Sequence, residues 1–160
     1  MGVREAVAAA HPNIALIKYW GDRDHALRIP SNGSISLTLS GLKTQTRVGF
    51  DPDLDQDQLT INQAPAEAAA LQRVGRHLDL IRETAGLRAG AFVHSDTDFP
   101  MAAGLASSAA AFAALTLAGC AAAGLELGRA ELSALARRGS GSAARSIFGG
   151  YVELVAGEDD

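Results

Sequence analysis

Cysteine is almost missing from the chain. Cys120 is the only one, so no internal disulfide staples the fold. Its alanine-rich surroundings predict a buried, inert thiol, and a reducing, cytoplasmic setting fits. Long, strongly apolar runs are also lacking. The stretch 101–127 is long, but its residues are small and glycines interrupt it, which excludes a span needing ~20 strongly apolar residues. The opening MGVREAVAAAHPN has no apolar core behind a basic region, so no cleavable signal peptide is expected. Nor is there an excess of positive charge. Lys and Arg number 14 against 18 Asp and Glu, for a net charge of −4, which argues against nucleic acid as a partner. No internal repeat is visible. What remains is a globular composition, 48% apolar and 20% charged over 160 residues. That is enough for one domain, 1–160, with a core.

The patterning predicts strands at 3–10 and 14–19, on either side of a His11-Pro12-Asn13 turn. Ile35 to Leu39 alternates and reads as a half-buried strand. Further strands are expected at 44–50, after a turn near Gly41, and at 59–61, with the acidic 51–58 segment as a hairpin connection. Residues 66–84 predict a helix. Leu71, Val74, Leu78 and Ile81 fall on one face, with Arg73, Arg76, Asp79 and Arg82 elsewhere, and Gly86 stops it. A strand at 91–95 breaks at 97–100. A long small-residue helix runs to about 123, a helix at 129–138 ends at Gly139, and 147–155 reads as a last strand. Strands first and helices later give an α+β class with a mostly antiparallel sheet packed on helices.

Three stretches carry chemistry. PMAAGLASSAAAF, 100–112, sets two serines among small residues where a helix begins. A helix start offers unpaired N–H groups and partial positive charge, and small residues let phosphate approach the backbone. The hydroxyls of Ser107 and Ser108 suit phosphate oxygens or a bridging Mg2+. No Gly-Lys-Ser/Thr closes the stretch, so it is not a Walker loop. Close helix packing through small residues is the alternative. In HPNIALIKYWGDRD, 11–24, Asn13, Lys18 and Tyr19 bring an amide, an ammonium and a phenol into an apolar segment. Lys18 either faces a cleft or snorkels at a strand edge. In ARRGSGSAARSIFGG, 136–150, Ser140, Ser142 and Arg145 make a second anion site. The apolar strand expected next argues against a free Gly-Ser linker.

NIALIKYWG, PSNGSISLTL, PMAAGLASSAAAFAAL and RRGSGSAARSIFGGY together resemble, in order and separation, the GHMP superfamily of small-molecule kinases. Within it they resemble the N-terminal portion of the diphosphomevalonate decarboxylases. The resemblance covers about 11–155. It implies a GHMP-kinase N-terminal domain with a phosphate-binding loop at a helix N-terminus. It also implies an activity on 5-diphosphomevalonate with Mg-ATP: phosphorylation of the tertiary 3-hydroxyl, then loss of phosphate and CO2 to give isopentenyl diphosphate. By the same resemblance Gly104, Leu105, Ala106, Ser107 and Ser108 hold ATP, with Ser107 at the Mg2+. Tyr19, Ser140, Ser142 and Arg145 hold the mevalonate substrate. Lys18, Asn13 and Arg145 form the catalytic set: Lys18 near the reacting hydroxyl, Asn13 orienting the cluster, Arg145 at the carboxylate. Ser31 and Asn32 are either cleft support or a structural turn.

Two departures stand out. Asp22 occupies GDRD where many relatives carry lysine in GKRD. Two unit charges ~4 Å apart cost about 4 kcal/mol at an effective dielectric of ~20, so 5-phosphomevalonate is an alternative substrate, with Arg23 as partial compensation. Family members are also longer, and their C-terminal half carries an aspartate thought to act on the 3-hydroxyl. No base is assigned here, and the family pattern gives Asp96 and Asp98 no such role. A homodimer or a missing C-terminal half is therefore an expected partner. A mevalonate-type kinase and a non-catalytic nucleotide-binding module stay open as alternatives.

Overall fold

The computed structural model describes residues 2–18, 20–100 and 107–156. In chain order the elements are β1 (Arg4–Ala10), β2 (Asn13–Ile17), β3 (Asp22–Asp24), β4 (Ile29–Pro30), β5 (Ser34–Thr38), β6 (Thr44–Asp51), β7 (Gln58–Ile61), β8 (Ala64–Pro65), α1 (Ala68–Ala85), β9 (Gly90–Thr97), α2 (Ser107–Ala123), α3 (Arg129–Gly139), α4 (Ala143–Ser146) and β10 (Tyr151–Leu154). The main sheet has the order β1-β6-β9-β7-β8. Its pairings are antiparallel except β7 with β9, which run parallel. A second, antiparallel sheet has the order β10-β5-β2, and β3 and β4 form a small ribbon.

The core sits where α2 crosses β1 and β6. Val48, Phe50, Ala91 and Val93 meet Ala113, Ala114 and Ala118 there. α2 is apolar on every face and covered along nearly its whole length, with Ala121 its one exposed residue, as a central helix requires. Its small residues let neighbours come close. A Cβ on Gly119 would lie 2.6 Å from Ile81 Cδ1 of α1. The face of α1 predicted to be buried is the buried one: Leu78 and Ile81 are fully covered. Gly86 ends that helix in the left-handed conformation, with φ 63°.

Four expectations change. The 51–58 segment is not a hairpin connection, because β9 lies between β6 and β7 in the sheet. The last strand is Tyr151–Leu154 rather than 147–155. Residues 143–146 wind into α4, the Phe148 N–H bonds back to the Arg145 carbonyl, and Gly150 turns the chain at φ 77° before pairing begins. β2 ends at Ile17, after a register shift against β5 between Ala15 and Ile17. In β5 the buried face is the polar one. Ser34, Ser36 and Thr38 point inward, while Ile35 and Leu37 are half-exposed. The outer face of that sheet leaves Ile14, Leu16, Ile17 and Tyr151 exposed. Cys120 is buried, and burial pushes its thiol up to about 11.

Candidate active site

The inward polar face of β5 explains the site. Arg145, on the one-turn helix α4, is 3% exposed, and its Nη1 donates to Ser34 Oγ at 2.7 Å. A buried guanidinium needs such acceptors, and a strand carrying hydroxyls at alternate positions supplies them. Asn13 opens β2 beside it and is fully buried. Its Nδ2 donates to the Ser142 carbonyl at 3.0 Å and to Ser146 Oγ at 2.8 Å. One amide thus fastens β2 to both ends of α4, the short helix that follows the GSGS stretch.

That turn faces the start of α2. Ser108 Oγ lies 3.2 Å from Ser140 Oγ, which lies 3.4 Å from Ser142 Oγ. Ser140 is buried and its N–H caps α3 on the Ala136 carbonyl. Arg73 Nη2 donates to the Gly139 carbonyl at 3.0 Å, and Arg137 Nε to the Leu27 carbonyl at 3.0 Å. Both arginines pin the end of α3, so the serines project from a fixed backbone. Gly139 has to be glycine here. A Cβ would strike the Phe112 ring and come within 2.9 Å of His77 Nδ1.

Four of the expected site residues are therefore linked by hydrogen bonds, Asn13, Ser108, Ser140 and Ser142, and Arg145 on the adjoining α4 bonds Ser34. Ser107 begins α2 half-buried, and no acidic residue occupies the helix's first turn. Lys18 makes no bond to this cluster among the described residues. It is exposed, and its ammonium makes no hydrogen bond or ion pair among the described residues. Its segment is held by Asn32, whose Nδ2 donates to the Lys18 carbonyl at 3.2 Å and whose Oδ1 accepts from the Trp20 N–H at 2.9 Å. Ser31 N–H adds a bond to the Gly21 carbonyl at 3.1 Å. Ser31 and Asn32 thus clamp the segment that carries Lys18. Tyr19, Gly104, Leu105 and Ala106 lie outside the described residues. Two contributors were not anticipated, Ser34 and Ser146. The only sequence signal for Ser34 was a serine-threonine register on β5 that competed with the apolar one. Asp22 lies on β3 with its carboxylate 3.7 Å from His25 Nδ1.

A five-stranded sheet packed on a buried small-residue helix, with serines at the helix's start facing a Gly-Ser turn, defines a domain of the GHMP superfamily. A family model for the diphosphomevalonate decarboxylase-like N-terminal domain matches residues 10–160, and the chain belongs to that family. The phosphomevalonate decarboxylase of Haloferax volcanii is 40% identical over 156 residues, covering 98% of this chain and 48% of that protein. The crystal structure of mevalonate diphosphate decarboxylase from Staphylococcus aureus matches with a TM-score of 0.94 and 46% identity, over 98% of this chain and 47% of that one. A structure of MDDEF in complex with MVAPP, AMPPCP and magnesium matches with a TM-score of 0.94 and 44% identity, over 99% of this chain and 48% of that one. The chain thus spans about half the length of the relatives it matches. No helix among the described residues is long and apolar enough to cross a membrane.

Proposed function

We propose that this chain forms the N-terminal part of an ATP-dependent decarboxylase that converts 5-diphosphomevalonate to isopentenyl diphosphate. The observation that carries this reading is the hydroxyl chain Ser108–Ser140–Ser142, which joins the start of α2 to the turn backed by Asn13 and Arg145. The names of the similar proteins, phosphomevalonate decarboxylase and mevalonate diphosphate decarboxylase, share decarboxylation of a phosphorylated mevalonate and differ in the number of phosphates.

The residues present fit ATP and Mg2+. The first turn of α2 is free of carboxylates, offers two half-buried hydroxyls and is backed by fully buried Ala109 and Ala110. Ser107 and Ser108 would hold the nucleotide's phosphates together with the 104–106 backbone, and Ser107 would reach the Mg2+. Bound Mg-ATP supplies the phosphoryl group that turns the 3-hydroxyl into a leaving group. Ser140 and Ser142 donate to the substrate's phosphate end, and the family resemblance adds Tyr19 to that set. Arg145, oriented by Ser34, faces the carboxylate that departs as CO2. Lys18 offsets negative charge that develops at the 3-oxygen. Asn13 is a positioning residue, since it touches the turn rather than the substrate.

A second reading, 5-phosphomevalonate as substrate, is favoured by Asp22 and by the name of the Haloferax relative. The test joins this chain to the remaining half of the Staphylococcus aureus relative and follows ADP and CO2 with each substrate. Equal ADP and CO2 release supports the decarboxylase. ADP without CO2 indicates a kinase. A folded protein that neither turns over nor binds Mg-ATP overturns the proposal.

A further inference from the structure

The chain holds three asparagines, Asn13, Asn32 and Asn62, and only Asn32 is followed by glycine. The side-chain amide carbon of an asparagine is open to attack by the backbone nitrogen of the next residue. A side chain on that next residue obstructs the attack. Glycine leaves the path clear and lets the backbone bend to it. Asn13 is buried and precedes the branched Ile14, and Asn62 precedes Gln63.

The geometry around Asn32 favours the same reaction. The residue is exposed, so water reaches it. Its Nδ2 donates to the Gly33 carbonyl at 2.8 Å, which folds the amide forward over the peptide that would attack it. The Gly33 N–H makes no hydrogen bond among the described residues, so the nucleophile has no contact to break. On the other side the Trp20 N–H donates to Asn32 Oδ1 at 2.9 Å. That donor draws charge from the amide carbon and meets the negative charge that gathers on Oδ1 as the new bond forms. The bonds that make Asn32 a clamp therefore also ready it for its own conversion.

We propose that Asn32 is a site of spontaneous deamidation, and that its conversion releases the segment carrying Lys18. The Gly33 nitrogen gives up its proton and attacks Asn32 Cγ. The tetrahedral carbon expels the side-chain nitrogen, which takes up a proton and leaves as ammonia. The product is a five-membered succinimide. Water adds to one of its two carbonyls and opens the ring, to aspartate or to isoaspartate. Overall one water is consumed and one ammonia is released, and nothing is oxidised or reduced. Either product takes the Nδ2 donor from the Lys18 carbonyl and sets a carboxylate against it. An acceptor left facing an acceptor is destabilised. Isoaspartate also adds one carbon to the backbone two residues before Ser34, the hydroxyl that holds Arg145.

Peptide mass spectrometry of the full chain, aged in mildly alkaline buffer, tests the first half. The Asn32 peptide should gain one mass unit and split into aspartate and isoaspartate forms, while the Asn13 and Asn62 peptides stay unchanged. In water enriched in heavy oxygen, residue 32 should take up the label. Gly33→Ala should slow conversion at least tenfold. Its Cβ would lie 3.3 Å from the Leu154 carbonyl, so a thermal melt checks the fold. A second comparison needs no substitution and sets the folded chain against the same chain in urea. The folded chain should convert at least as fast. Protection by the fold, or equal conversion at all three asparagines, overturns the proposal. Release of the segment is read from Trp20, the one tryptophan. Asn32→Asp should lower its fluorescence anisotropy, and an unmoved value overturns that second half. None of these readouts rests on the decarboxylase reading. Turnover of the joined enzyme should also fall with the modified fraction, a consequence that does rest on the role proposed for Lys18. A joined enzyme inactive before ageing counts against the decarboxylase reading alone.

Discussion

Ser108 and Ser140 are 32 residues apart in the chain and 3.2 Å apart through their hydroxyls. Neither is placed by the other's local structure. One opens the buried helix and the other closes α3, so the contact exists only once both helices have packed. Site assembly and core packing are therefore one event, and the variants below are expected to show it.

Asn13→Ala should cost stability as well as affinity. It strands the Ser142 carbonyl and the Ser146 hydroxyl in a buried region, at about 2 kcal/mol. The urea midpoint should fall, and in the joined enzyme KM for the mevalonate substrate should rise more than kcat falls. A change in kcat alone would place Asn13 at the reacting atoms instead.

Arg145→Lys keeps the charge and loses the planar fork held by Ser34. Turnover should fall roughly 100-fold in the joined enzyme, and Ser34→Ala should produce a smaller loss in the same direction. Equal effects of Arg145→Lys and Arg145→Gln are not expected if the carboxylate lies there.

Asp22→Lys should shift preference toward the diphosphate. Replacing a negative by a positive charge beside a phosphate is worth several kcal/mol before screening, by the estimate of about 4 kcal/mol per pair at ~4 Å. The ratio of kcat/KM for mevalonate 5-diphosphate and 5-phosphate measures it. An unmoved ratio rules out Asp22 as a specificity residue.

His77 predicts a pH dependence of stability. Burial, then Arg138 and Arg73, lower its pKa to about 4, below the unfolded value of 6.5. Between those values the unfolded chain binds a proton that the folded chain does not. The contribution is fully present above pH 6.5 and is lost as pH falls toward 4, at about 1.4 kcal/mol per pH unit. His77→Gln should flatten that part of the profile when unfolding is followed by urea at several pH values.

Gly139→Ala should destabilise by about 1–3 kcal/mol through overpacking against Phe112 and His77. Phe112→Leu in the same chain should recover part of the loss. Thermal melts of the single and double variants check the coupling.

Much of this architecture was legible because single segments declare themselves. The apolar stripe of α1, the all-round small residues of α2 and the glycines at the ends of α1 and α3 each carry a local physical meaning. Serines 107, 108, 140 and 142 were legible as hydroxyls beside glycine and alanine. The phase of β5 was not. Ile35, Leu37 and Leu39 advertise a buried apolar face, yet the polar register goes inward, because Arg145 needs Ser34 more than the core needs Leu37. That preference is set by a residue 111 positions away, so no window around β5 contains it. Tyr151–Leu154 was drawn too long for a similar reason, since the glycines before it act as a turn only once α4 has formed.

The close packing around α2 also has a genetic consequence. Ala109, Ala110, Ala113, Ala114 and Ala118 are wholly enclosed, and almost any single-nucleotide change that alters an alanine codon's meaning enlarges or charges the side chain. Glycine is the one neighbouring codon that adds no volume, and it loosens the helix by about 1 kcal/mol. The helix that opens with Ser107 and Ser108 therefore has few tolerated one-step variants. Its sequence will drift more slowly than the acidic 51–58 connection, and a deep mutational scan should show that contrast as a band of intolerance ending near Gly124.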